Sequence, residues 1–202
     1  MKKKTNLKKV TRVKVPLIRR CGTMSVHQRL LEQNPGFRKN LLGFERLVAR
    51  RMASGMAVRA GGVTTIPVVV HVVYNQDSEN ISDAQVKSQM TALNKDYSAG
   101  NPDKSKTPGV WKGLVTDVRV QFTFASKDPD GKTTNGITRT STTKTSFADD
   151  DSVKYTSKGG MNAWPSGRYL NIWVCSLGNG LLGYAQFPGG PAATDGVVIL
   201  HP

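Results

Sequence analysis

Nine residues constrain this chain more than any others: IPVVVHVVY, Ile66–Tyr74, β-branched at six of nine positions. In a helix each of those side chains would lose χ1 freedom against the preceding turn, and Pro67 would remove a backbone donor. The run is therefore a strand. It does not alternate apolar with polar, so both of its faces must be covered, as in the centre of a sheet. The next patterned segment supplies a cover. Ser82 with Gln85 fits a capping box, and Val86, Met90, Leu93 and Tyr97 then fall on one helical face. Four further strands are expected at 118–126, 169–177, 183–187 and 196–200. Between them, KDPDGKTTNG (Lys127–Gly136) is turn chemistry, and Thr133–Thr145 is rich in Ser and Thr. Strand, helix and four strands make an α+β domain with a backing helix.

Charge divides the chain. Residues 1–63 hold sixteen Lys and Arg against Glu32 and Glu45, a net +14, whereas residues 64–202 hold thirteen basic and twelve acidic side chains, a net +1. A basic extension is attached to an electrically neutral domain. Within the extension, Ser25 and Gln28 suggest a helix start, followed by Val26, Leu30 and Leu31. Pro35 opens a second helical segment with Phe37, Leu41, Phe44 and Val48 in register. ASGMAVRAGGVTT then reads as a linker, and Arg50, Arg51 and Arg59 make that region a candidate for cleavage. MKKKTNLKKVTRVKVPLIRR resembles the charged start of a secretory signal, but no apolar run of 7–15 residues follows it. No stretch approaches the roughly 20 apolar residues of a membrane-spanning helix.

Residues able to carry chemistry are few. His27, His71 and His201 show no metal-ligand spacing, and neither a nucleophile elbow nor a phosphate-binding loop is present. His71, among valines in mid-strand, reads as a satisfied interior histidine. Asp128–Gly131 reads as a hairpin turn rather than a calcium loop, because Lys132 stands where an oxygen ligand would be needed. Asp149, Asp150 and Asp151 read as a solvated acidic loop. The basic extension could contact nucleic-acid phosphates, but it lacks interleaved aromatics and base-reading motifs, so a partner-facing amphipathic segment is favoured.

Four segments carry a resemblance: RRCGTMSVHQRLLEQNP, TIPVVVHVVY, KDPDGKTTNGITRT and YLNIWVCSLGNGLLGYAQFPGGPAATDGVVILH. Together they resemble the pappalysin family of metzincin zinc metallopeptidases, over Arg19 to His201. The resemblance implies a metzincin upper sub-domain in residues 63–202, a twisted five-stranded mixed sheet with its backing helix, preceded by a largely helical pro-segment in residues 1–62. It also implies that the chain ends before the H-E-x-x-H-x-x-G-x-x-H helix that holds zinc in the family.

On that resemblance, zinc is the cofactor of the intact family member, none is expected on this chain, and calcium is possible in the family without support here. This polypeptide is then expected to lack peptidase activity. Cys21 matches the pro-segment cysteine of a latency switch, whose thiolate would take zinc's fourth position in an intact precursor. LGYAQFP matches the edge strand above the cleft, along which substrate backbone adds as a further strand. Gly183, Tyr184, Ala185 and Gln186 are the implied substrate-binding residues. The implied partners are a peptide or protein substrate, a missing C-terminal half, or a sibling protease blocked by the pro-segment. The implied location is extracellular. Cys175 is expected as a buried free thiol, or one whose partner lies outside this chain.

Overall fold

The computed structural model describes residues 18–54 and 62–201. The chain runs β1 (Arg20–Cys21), α1 (Thr23–Gln33), α2 (Pro35–Ala53), β2 (Thr64–Tyr74), α3 (Asp83–Tyr97), β3 (Val120–Phe124), β4 (Ile137–Ser141), β5 (Leu170–Cys175), β6 (Leu181–Ala185) and β7 (Val197–Leu200). Much of the linker, Arg59 included, lies outside the described residues. Arg50 and Arg51 sit exposed in the last turn of α2.

One sheet organises these strands in the order β1-β6-β7-β5-β2-β3, with β4 also on β2. All pairs are parallel except β6 with β7. β2 is long enough to take two neighbours end to end. Thr64–Val68 pairs with β3, and Val70–Tyr74 pairs with β4. The five strand positions of the body match the expected five-stranded mixed sheet, and the helical segment that precedes them adds β1 as one more.

β4 and β1 were not expected. β4 lies in ITRTS, whose polar residues carry no apolar signal, and β2 alone decides its pairing through Val70 N–H on Gly136 O at 2.8 Å. Around Asp128 the turn is as expected, with its carboxylate accepting from Asp130 N and Lys132 N at 3.0 and 2.8 Å.

Both faces of β2 are buried, as its composition demands. Val68, Val70 and Val72 face α3 and pack with Val86, Met90, Phe122 and Val174. On the other face, Val73 joins Trp173, Cys175, Tyr184 and Val198, together with Val26, Leu30 and Phe37 of α1 and α2. α1 and α2 therefore lie across the sheet from α3. Ser82 caps α3, accepting from Gln85 N at 3.2 Å. α1 begins three residues earlier than expected, with Gly22 rather than Ser25 at its N-cap position, and has no side-chain cap. Its first turn is tied to β6 instead, so Ser25 lies inside the helix.

Candidate functional site: the edge strand and its cover

β6 offers its backbone groups alternately to two sides. Tyr184 pairs with Val198 of β7, and Gln186 N–H points the same way, toward Gly196 O. Gly183 and Ala185 point outward, and β1 lies on that outer edge. Arg20 N–H donates to Gly180 O, and Gly22 N–H donates to Gly183 O, each at 2.9 Å. Ala185 N–H donates to Thr23 Oγ1 at 3.1 Å. An extended backbone thus already occupies the edge, running parallel to β6. A Cβ on Gly22 would stand 2.8 Å from the end of the Leu181 side chain of β6, and on the inner side of β6 one on Gly183 would stand 2.6 Å from Val198 O of β7.

Of the four residues implied for substrate, two present backbone to this edge and two do not. Gly183 and Ala185 hold the segment just described. Tyr184 is buried, its ring 5.0 Å from Lys154 Nζ. Gln186 pins the following loop, donating to Pro191 O at 3.1 Å and accepting from the Thr194 hydroxyl at 2.6 Å.

Cys21 stands opposite Gly183, exposed and unbridged. Its Sγ lies 3.3 Å from Thr23 Oγ1. That hydroxyl accepts from Ala185, so its own proton is free to face the sulfur. Hydrogen bonding from the Thr23 side chain, then from its backbone, holds the thiol below its ordinary range. Cys175 is its opposite, a buried thiol that desolvation pushes up to about 12.

Charge adds a second hold. Arg29 donates to Asp151 Oδ2 at 2.6 Å and to Asp149 O at 3.0 Å, and Arg20 meets Asp149 Oδ2 at 3.3 Å. Asp151 also pairs at 2.8 Å with Lys154, whose side chain is completely buried. Lys154 donates on to Thr194 O at 2.7 Å and lies 5.5 Å from the Trp173 ring. Desolvation lowers its pKa, and Asp151 opposes that shift. Asp149 and Asp151 are therefore not solvated as expected, whereas Asp150 between them stays exposed and accepts from Ser152 N at 3.0 Å. The outer pair forms a slot that takes two arginines from the outside and one lysine from the inside. A third contact closes the cover: His27 packs edge-on against Phe37 and Phe187, and Asn40 Nδ2 donates to Gly189 O at 3.0 Å.

These partners were invisible in the sequence. Arg29 and Asp151 are 122 positions apart, and no spacing rule links residues so distant.

The histidines do not converge. His71 is fully buried. Nε2–H donates to Asn171 Oδ1 at 3.1 Å, which leaves Nδ1 to accept from the Thr138 hydroxyl at 2.7 Å. Burial lowers its pKa to about 4, so the ring is neutral. His27 lies in α1, and His201 follows β7 with Nε2 3.9 Å from Glu79. Among the described residues, no three His, Cys, Asp or Glu side chains are grouped to hold a metal ion. A hydrolytic zinc needs three protein ligands and an open position, and these residues do not fit one. On the α3 side of the sheet lies an apolar groove of about 680 Å³, between Met90 and Leu93 of α3 and Ile172, Val174 and Ile199 of the sheet. Among the described residues no helix is long and apolar enough to cross a membrane.

Comparison with known proteins gives one consistent result. No family model and no curated protein matches the chain. Among solved structures, a point mutant of Tannerella forsythia promirolysin matches at 43% identity and a TM-score of 0.74, over 91% of this chain and 60% of that one. Mature T. forsythia mirolysin in complex with a cleaved peptide matches at 51% identity and 0.68, over 69% of this chain and 53% of that one. Mirolysin in complex with compound 9 gives 51% and 0.67 over the same shares. The chain spans between about half and three fifths of the length of these neighbours. Its mixed sheet with one antiparallel pair at the edge, together with the helices laid beside that edge, gives the chain the metzincin fold of promirolysin.

Proposed function

We propose that this chain is the N-terminal part of a secreted zinc metalloendopeptidase precursor of the pappalysin family, with residues 1–62 as its pro-segment. The observation that carries this reading is β1 on β6, because the strand that would receive substrate backbone is already filled by Arg20–Gly22 with Cys21 at its centre. Strand addition uses main-chain hydrogen bonds alone, so the same groups serve a pro-segment or a substrate. Gly183 and Ala185 would hold substrate through their backbone once the pro-segment has left, with Tyr184 and Gln186 shaping the strand from within. The domain boundary has independent support. Mature mirolysin aligns with 69% of this chain and the promirolysin mutant with 91%, and the difference is close in length to the described extension.

The Cys21 thiol fits the latency ligand of such a precursor. It is exposed, its pKa is lowered, and it is oriented by a threonine anchored on the edge strand itself. Zinc, where an intact precursor binds it, would activate water for peptide-bond hydrolysis. Among the described residues, no second or third ligand is grouped with Cys21 for it. We therefore expect this polypeptide alone to be inactive. Metal analysis after incubation with zinc, paired with a fluorogenic peptide assay, tests this directly. The expected result is neither stoichiometric zinc nor turnover, and finding both would overturn it.

A second reading, inhibition of a sibling protease in trans, is favoured by the form of the cover. Its contacts are backbone bonds, two arginines, one aromatic cluster and the buried side chains of Val26, Leu30 and Phe37, all contributed by one contiguous segment. A peptide spanning residues 18–54 is expected to inhibit mature mirolysin, with the inhibition weakened in Cys21→Ser. An unchanged inhibition curve would eliminate the switch.

A further inference from the structure

The loop from α3 to β3 turns its apolar side chains outward. Every residue from Pro108 to Arg119 is exposed, among them Val110, Trp111, Leu114 and Val118 at 83%, 59%, 71% and 52%. The other two tryptophans, Trp164 and Trp173, are buried. The loop is nevertheless built. Gly109–Leu114 forms a 3-10 helix, in which Trp111 and Leu114, three residues apart, stand one above the other. Its return is pinned to the body by Val118 N–H on Tyr97 O at 3.1 Å and by Thr64 N–H on Arg119 O at 2.8 Å.

The charge beside these side chains is positive. Lys104, Lys106, Lys112 and Arg119 belong to the same loop, and Lys112 lies between Trp111 and Leu114 in sequence. The two acidic side chains of the loop are already engaged. Asp103 accepts from Asn101 Nδ2 at 2.6 Å, and Asp117 accepts from Arg119 N at 2.7 Å. The +14 extension enters the body at this same end, since β2 starts at Thr64, whose partner is Val120 at the start of β3. Position matters as well. β3 closes the sheet at the edge opposite β6, and three steps of about 4.8 Å put it roughly 14 Å from β7. The loop is thus remote from the edge strand and from the segment docked there.

An exposed tryptophan, aliphatic neighbours and lysines in one short loop suit the boundary between water and hydrocarbon. There an indole sits at headgroup level, aliphatic side chains reach the acyl boundary, and ammonium groups meet anionic lipid. A protein groove that took Trp111 and Leu114 would also have to desolvate Lys112, whereas among headgroups a lysine buries its stem and keeps its charge in water. We propose that this loop docks the protein on the surface of an anionic lipid bilayer, with Trp111 and Leu114 entering the interface and Lys104, Lys106 and Lys112 facing the headgroups. The contact is peripheral. The inference rests on exposure and charge in one loop, and it stands apart from the peptidase reading.

The test is co-sedimentation of the full chain with vesicles of phosphatidylcholine alone and of equal parts phosphatidylcholine and phosphatidylserine, read together with tryptophan emission. The wild type is expected to bind the mixed vesicles at least about tenfold more tightly than the neutral ones. Its emission should shift to the blue on binding, because Trp111 is the one tryptophan exposed beforehand. Trp111→Ser with Leu114→Ser, at exposed positions, should weaken binding at least about tenfold and abolish the shift, with circular dichroism unchanged. Lys104→Gln with Lys106→Gln and Lys112→Gln should remove much of the preference for the mixed vesicles. A wild type that binds neither vesicle would overturn the proposal. So would binding kept in full by the Trp111 and Leu114 variant, which would assign the attraction to the basic extension alone. A blue shift that grows with protein concentration in the absence of vesicles would also overturn it, by making a second protein molecule the occupant.

Discussion

The body and the extension of this chain are held in opposite ways. The body is built inward from β2, with Val68, Val69, Val72 and Trp173 completely buried and the sheet covered on both faces. The extension touches the body through a two-residue strand, two arginines and a few side chains of α1 and the start of α2. Beyond Phe37 and Leu41, α2 is exposed at every position. The body closes on itself through buried area. The extension adds only three buried apolar side chains, Val26, Leu30 and Phe37, to the polar contacts directed at its rim.

Three measurements sharpen that contrast. The largest effect belongs to Trp173→Ala, which empties the side chain shared by β5, Lys154 and His71 and should cost about 3–5 kcal/mol in denaturant unfolding. An exposed α2 position such as Met52→Ala should stay within about 0.5 kcal/mol. Equal costs would mean that the exposed length of α2 is packed as tightly as the body.

The intermediate effect is a pH dependence confined to the body. His71 is neutral when folded, with its pKa lowered to about 4, so the unfolded chain binds the extra proton between that value and the ordinary 6.5. Stability from this group is complete above about pH 6.5 and declines as pH falls toward 4, by up to about 3 kcal/mol. Wild type and His71→Gln compared by urea unfolding at pH 7 and 4.5 should differ in slope, the variant being flatter. Parallel slopes would remove His71 as the cause.

The smallest effect on global stability, and the most local, is that of Arg29→Gln. It leaves the Asp151–Lys154 pair in place and removes the cation that clamps α1. Unfolding of the body should shift by no more than about 1–2 kcal/mol, while residues 18–54 become several-fold more sensitive to limited proteolysis. A body destabilised as much as by Trp173→Ala would place Arg29 in the core rather than at the interface.

Much of the fold was legible because it is local. A β-branched run with no polar alternation fixes a central strand, Ser82 starts α3, Pro35 starts α2, and charge separates extension from body. Where local signals were weak, neighbours decided. ITRTS became a strand because half of β2 would otherwise lack a partner, and Arg20–Cys21 became one because β6 had a free edge. Ser25 gave way as a helix start because Gly22 and Thr23 were already bonded to β6.

The candidate site divides along the same line. Cys21 and the edge strand followed from recognisable segments of sequence. The outward aim of Gly183 and Ala185, the burial of Tyr184, the anchoring of Thr23, and the use of Asp149 and Asp151 as a two-sided ionic slot did not. Sequence alone determined which segments had to be strands or helices and which end carried the charge, since propensity, periodicity and charge are properties of neighbouring residues. Only the tertiary structure decided what lies against the edge strand and which carboxylate meets which arginine, because those energies depend on distances and burial between groups more than a hundred residues apart.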